Sequence, residues 1–280
     1  METLRSDKEP LKLDYKLVEK VLVKFIKEEL ASAGLSKAVI GLSGGVDSAV
    51  SCALAARALG PENVLAVIIP FKTSSPDSIT DAEKVIGSTG IQSEIVDITQ
   101  MAEPYLNDND ELGKVRIGNV LARLRMIVLY DRSAREKALV IGASNKSELM
   151  LGYGTLHGDL ASAINPIGDL YKTQVWDLAR HLGLPESVIV KKPTADLWEG
   201  QTDEDELGFT YQEVDRLLYY MIDERRSDTE LQGLGYSKSF IHQVREMVRK
   251  NQFKRRMPLI AKISNRTVNV DFRYVRDWGT

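Results

Sequence analysis

The chain has 280 residues, 43% of them hydrophobic and 28% charged, which is ordinary globular usage and excludes intrinsic disorder and fibrous repeats. Its 37 Lys and Arg against 40 Asp and Glu leave a formal net charge of −3, without the basic surplus of a protein that grips phosphate backbones, so no nucleic-acid partner is expected. The single cysteine, Cys52, excludes an intramolecular disulfide and points to a reducing, cytoplasmic setting, while the lack of a signal peptide at 1–13 or of a run of roughly 18 apolar residues predicts no membrane partner.

Taken in chain order, apolar residues at Leu17, Val21, Phe25 and Leu30 predict an amphipathic helix over 14–31. Short apolar or β-branched runs at 37–42, 64–70, 92–97 and 138–142 are too brief for helices and predict strands. Helical patterns at 48–59, 78–86 and 114–133 lie between them and are long enough for parallel crossovers. The expected fold is therefore α/β, a doubly wound, mostly parallel sheet. Beyond residue 142 helices are expected near 173–182, 210–223 and 237–251, the second opened by the capping-box pattern Thr210-Tyr211-Gln212-Glu213. Residues 99–113 and 191–208 read as long loops, of the kind that form lids. One domain is expected, with a sheet core at about 14–170, a helical appendage at about 171–260 and a tail at 261–280.

The strongest local pattern is Gly41-Leu42-Ser43-Gly44-Gly45-Val46-Asp47-Ser48, at the end of the first strand and the start of the next helix. Glycines that let the backbone approach an anion, unpaired amides and a helix N-terminus of about +0.5 charge form a phosphate cradle. Ser43 and Ser48 are expected to add hydroxyl donors. Neither the Walker A pattern nor GxGxxG spacing is present. A tight turn capped by Ser and Asp is the plain alternative.

The loop resembles the SGGxDS loop of the N-type ATP pyrophosphatases, which cleave ATP between its α and β phosphates. The segments GASNKSE (142–148), LGYGTLHGD (151–159), INPIGDLYK (164–172) and KPTADLWEGQTDEDELG (192–208) narrow this to a resemblance to the ammonia-dependent NAD synthetases over about 17–258. The resemblance implies an adenine nucleotide alpha-hydrolase-like fold. It implies Mg-ATP adenylation of deamido-NAD, then ammonia attack to give NAD, AMP and pyrophosphate.

On that resemblance ATP falls to Gly41–Ser48, Lys172 and Thr194, and Mg²⁺ to the carboxylates Asp47 and Glu148, since this hard cation takes oxygen ligands. Asp47 and Glu148 follow strands that would flank a topological switch point. Asn145 and Glu148 also have capping-box spacing, so a plain helix cap is open for Glu148. Deamido-NAD falls to Arg123, Phe253 and Lys254. Asp159 with Tyr130 is the candidate pair for collecting and deprotonating ammonium, and Asp47 and Lys172 complete the catalytic set. The acidic run 203–206 would belong to a lid that keeps water from the adenylate. Ala143, Leu156, Ala163 and Phe253 depart from residues common in the family. A homodimer with substrate sites at the interface is implied, and a glutaminase domain is not expected.

The histidines His157, His181 and His242 lack metal-ligand spacing, and Cys52 is expected to pack as a small hydrophobe. The rival readings are a tRNA-modifying relative, another acceptor for the same ATP chemistry, and a non-catalytic adenine-nucleotide-binding module.

Overall fold

Four short apolar segments pair as one parallel sheet in a computed structural model of the chain, which describes residues 5–6, 9–108, 112–194, 200, 202–256 and 258–268. The segments 195–199 and 201 of the expected lid and 269–280 of the expected tail lie outside the described residues. The chain opens with β1 (Arg5–Ser6) and β2 (Glu9–Leu13), an antiparallel pair that the sequence reading left out. Leu11 and Leu13 of β2 pack against the apolar clusters behind them. Helix α1 (Tyr15–Ser32) follows, capped by Asp14, whose Oδ1 accepts from Lys16 N and Leu17 N at 3.1 Å each.

The sheet contains β3 (Lys37–Gly41), β4 (Val64–Ile68), β5 (Gln92–Ile95) and β6 (Ala138–Ile141), in the order β5-β4-β3-β6. At its centre Val39 of β3 lies between Leu65 and Val140. Val39 and Ile40 are buried, as strands covered on both faces require. Crossover α2 (Val46–Leu59) leads from β3 to β4, α3 (Pro76–Thr89) from β4 to β5, and α4 (Thr99–Asn107) with α5 (Lys114–Glu136) from β5 to β6. Helices α1, α2 and α3 pack on one face with α7 (Lys172–Leu182); α4 and α5 cover the other. Strand order reverses between β3 and β6, and a crevice opens there beyond their carboxyl ends.

Three expectations change, the first being that residues 203–207, expected within the loop 191–208, are helical, with Thr202 Oγ1 accepting from Asp205 N at 3.2 Å as the cap. Residues 99–107 are helical and not loop; Asp97 Oδ1 accepts from Thr99 N at 2.7 Å at the entry, and Ala102 is buried against the sheet. Pro104 within that helix is the breaker that hid it from a propensity reading. Helix α2 begins at Val46, so Asp47 and Ser48 belong to its first turn.

Past the sheet, α6 (Lys146–Leu151), α8 (Glu186–Ile189), α9 (Asp203–Leu207), α10 (Tyr211–Leu218), α11 (Asp228–Gly233) and α12 (Lys238–Lys250) make up the rest of the described helical part. Helix α10 runs on into a π-turn, Tyr219–Asp223. Tyr211, Leu217, Leu218, Ile241 and Val244 form the second apolar cluster, and Trp176 of α7 touches both this cluster and that of the sheet. The helix carrying Lys172 is thereby wedged between sheet and appendage.

Candidate active site

The phosphate-type loop bridges β3 and α2 with Gly44 in the left-handed region at φ 76°. A Cβ there would lie 2.2 Å from the carbonyl oxygen of Ser78, so glycine is needed both for the turn and for the approach of α3. The serines act otherwise than expected. Ser48 Oγ donates to Gly45 O at 3.0 Å and accepts from Ser43 N at 3.2 Å, and Ser43 Oγ accepts from Gly45 N at 3.3 Å while lying 3.1 Å from Ser48 Oγ. Both hydroxyls brace the loop from within by taking the Ser43 and Gly45 amides, and the first-turn amides at the α2 N-terminus are left as the anion-facing groups.

Across the switch point, α6 begins with the full capping box. Asn145 Oδ1 accepts from Glu148 N at 3.0 Å, and Glu148 Oε2 accepts from Asn145 N at 3.2 Å. The cap and the site coexist in one residue, because Glu148 Oε1 also lies 3.4 Å from Lys172 Nζ. Asn145, fully buried, donates from Nδ2 to Asp47 Oδ1 at 2.9 Å, and so ties the two carboxylates together. Lys172, at the first position of α7, is 3% exposed and donates to Asp47 Oδ2. Its ammonium sits 5.4 Å from the centre of the Tyr211 ring.

This centre is overloaded with negative charge. Asp203 of α9 is buried, accepts from Tyr211 Oη at 3.2 Å, and leaves Oδ1 without a hydrogen-bond partner. Burial and the neighbouring Asp47 push the Glu148 carboxyl up to about 8, and burial likewise raises Asp203. The nearby carboxylates hold Lys172 above its ordinary value against the opposing effect of burial. One ammonium thus faces three carboxylates, an arrangement that a further cation would relieve. Among the described residues no three His, Cys, Asp or Glu form a closed metal cage.

The cleft holds about 560 Å³ and is lined by the loop, Asp47, Glu148, Lys172, Thr194, Asp159 and Lys254. Asp159 Oδ1 accepts from Thr155 N at 2.8 Å. Lys254 donates to Gly152 O at 2.7 Å and Gly154 O at 2.9 Å, which shapes this wall and leaves one of three ammonium donors for a ligand. Thr194, the last described residue before 195, stands at the rim of this lining. Lys191 and Arg125, which the sequence reading did not select, also line the cleft. Lys191 Nζ lies 3.2 Å from both Ser78 Oγ and Asp81 Oδ2, and Arg125 Nε donates to Ile69 O at 3.0 Å.

Tyr130, Arg123 and Phe253 are not brought to the cleft. On α5 the residues Val115, Asn119, Ala122, Met126 and Leu129 line it, at alternating intervals of four and three. Arg123, Ile127 and Tyr130 follow the same spacing on the neighbouring outward face. Tyr130 Oη donates to Ala161 O at 2.5 Å, and Arg123 Nε to Leu156 O at 3.2 Å. Phe253 is 59% exposed. Of the departures, Ala143 lines the cleft, whereas Ala163 is exposed. Cys52 is fully buried, and burial pushes its thiol up.

A family model described as NAD synthase matches residues 18–258. The chain belongs to the NAD synthase family. Among curated members, the NH(3)-dependent NAD(+) synthetase of Chlorobium phaeobacteroides (strain BS1) is 58% identical over 268 residues, covering 96% of this chain and 97% of its own. The protein of the same name from Chlorobaculum tepidum is 55% identical over the same shares. Among solved structures, an NH3-dependent NAD synthetase from Campylobacter jejuni superposes with TM-score 0.76 at 35% identity, covering 89% of this chain and 100% of that one. An NMN synthetase from Francisella tularensis gives 0.80 at 32%, covering 90% and 100%. The parallel sheet and its switch-point crevice are those of the adenine nucleotide alpha-hydrolase fold of such synthetases.

Proposed function

We propose that the chain is an ammonia-dependent NAD synthetase: a ligase that amidates the nicotinate carboxylate of deamido-NAD at the expense of ATP. What carries the reading beyond family membership is the junction of the phosphate loop with the Asp47–Lys172–Glu148 cluster in one crevice. A carboxylate oxygen is a poor leaving group, so ATP must first convert it into a mixed anhydride. Negative charge then grows on departing pyrophosphate, and fixed positive groups aimed at that charge are often the largest catalytic contribution. The loop amides, the α2 N-terminus and Lys172 supply them. Asp47 and Glu148 are the residues to hold Mg²⁺, which when bound would neutralise phosphate charge as a Lewis acid. Thr194 and the lid segment would exclude water from the adenylate, and Asp159 would collect ammonium and take up its proton.

Arg123, Phe253 and Tyr130 lie outside this chain's cleft, and α5 exposes Ile127 and Tyr130 beside Arg123. Both features support a homodimer whose interface adds to the deamido-NAD site, with sheet core and appendage acting as one unit. No helix among the described residues is long and apolar enough to cross a membrane, and a buried lone thiol suits a reducing cytoplasmic setting. The similarity to an NMN synthetase makes nicotinate mononucleotide the competing acceptor. Purified protein with Mg-ATP should release pyrophosphate faster with deamido-NAD than with nicotinate mononucleotide; the reverse preference would reassign the acceptor, and release with neither would leave a nucleotide-binding module.

A further inference from the structure

Asp215 is a carboxylate on the buried apolar face of α10, alongside Tyr211, Val214 and Leu218, and its exposure is 0%. Such a group is costly unless its oxygens are hydrogen-bonded. Among the described residues no ion pair reaches it; three neutral donors do. Ser147 Oγ donates to Oδ1 at 2.5 Å, and Thr173 N and Thr173 Oγ1 donate to Oδ2 at 2.8 and 2.9 Å. Ser147 Oγ in turn accepts from Lys172 N at 2.9 Å. Asp215 thus grips the residue immediately before Glu148 and the residue immediately after Lys172.

Backbone amides at the start of α7 have no partner within their own helix. Here the first two are satisfied from outside, Lys172 N by Ser147 of α6 and Thr173 N by Asp215 of α10. The N-termini of α6 and α7 are therefore latched to each other through one carboxylate, and these two helix starts present Glu148 and Lys172 to the crevice. A negative charge at the start of α7 is also favourable to that helix. Burial pushes the Asp215 carboxyl up to about 6, against the pull of these hydrogen bonds.

We propose that Asp215, acting through Ser147 and Thr173, is a positioning residue for the ligase reaction: a strut that sets the spacing of Lys172 and Glu148 opposite Asp47 without itself touching substrate. This deepens the ligase reading and rests on it. The strut lies in the helical appendage, so the appendage contributes to the chemistry by alignment and not only by cover.

The test compares Asp215→Ala, Asp215→Asn and Ser147→Ala with the wild-type chain by steady-state kinetics and by side-chain reactivity. Misplacing a catalytic group by about 1 Å costs about 10²-fold, so kcat of Asp215→Ala should fall by about that much while KM for deamido-NAD stays within about twofold. Asp215→Asn keeps an acceptor for Thr173 but lacks one for the Ser147 proton, and should fall between wild type and Asp215→Ala. Mapped acetylation with acetic anhydride should show Lys172 becoming reactive in the alanine variants relative to exposed Lys24, while the lone buried Cys52 stays closed to a thiol reagent. Unchanged kcat with Lys172 still protected would overturn the proposal. So would Cys52 opening together with Lys172 in all three variants, since that marks loss of the core and not of alignment. A wild-type chain that forms no NAD would remove the ligase reading, and the two reactivities would then decide the strut alone.

Discussion

Lys172 is the one ammonium among Asp47, Glu148 and Asp203, so its removal should be felt in adenylation. Lys172→Met is expected to lower pyrophosphate release by about 10²-fold or more, as should Asp47→Ala with its fold retained by circular dichroism; near-normal release from either variant would remove that residue from the site. Glu148 supplies a pH dependence. Burial and the neighbouring Asp47 push its carboxyl up to about 8, so the proton is held to higher pH than on an ordinary Glu, and a cation binding there would displace it. The half-saturating Mg²⁺ concentration should therefore fall as pH rises from 6 toward 9, and a pH-independent requirement would count against Glu148 as ligand. Asp47 stands in a phosphate-loop pattern that draws attention by its own chemistry, whereas Glu148 and Lys172 were singled out through the family resemblance, Glu148 reading from spacing alone as a helix cap; the fold brings the three side chains together. Asn145 was legible only as a cap, although its Nδ2 also fixes Asp47. Asp215 gave no signal, because an Asp in an amphipathic helix normally faces water and its donors lie 68 and 42 residues away in the chain. Tyr130 and Arg123 carried family roles that the helical phase of α5 turns away from this chain's cleft.

At the scale of elements, the loop between β3 and α2 is held by a glycine conformation, a close approach and a pair of serines. Gly44→Ala combines a left-handed backbone, costing about 1–2 kcal/mol for a residue with a Cβ, with a clash on Ser78 O. It should lower the melting temperature and abolish measurable Mg-ATP binding by calorimetry. Gly45→Ala would place its Cβ at an ordinary 3.4 Å from Ser43 Oγ and should be milder in both measurements; equal effects would show that the approach to α3 is not what matters. Strands β3, β4 and β6 and the crossovers were legible because strands covered on both faces are short, apolar and bounded by turns, while the edge strand β5 is polar and largely exposed and showed only through its β-branched end and flanking turns. Helices α4, α6 and α9 were not. Their length of nine residues or fewer leaves little periodicity to read, and their stability comes from caps and tertiary contacts. The same limit hid the strand pair at 5–13.

For the whole molecule, the strand order places the phosphate loop and the Glu148 helix on either side of one crevice, and the appendage adds Lys172 at the start of α7 and Asp203 and Glu206 of α9 to its lining. The outward face of α5 remains uncovered in one chain. Ile127→Glu should convert a dimer to monomers in sedimentation and raise KM for deamido-NAD; an unchanged mass would place the interface elsewhere. The motifs pointed only to the first and last of these strands as neighbours at a switch point, as β3 and β6 are, and a homodimer rested on the family resemblance, since exposed apolar residues on a helix do not state what covers them. Amide formation with ammonia as nitrogen donor is measured most directly as NAD formed from deamido-NAD and Mg-ATP with ammonium or with glutamine, counting AMP and pyrophosphate. NAD with ammonium, one AMP and one pyrophosphate per NAD, and none with glutamine alone is the predicted result. ADP and phosphate as products, or no NAD despite tight ATP binding, would contradict it.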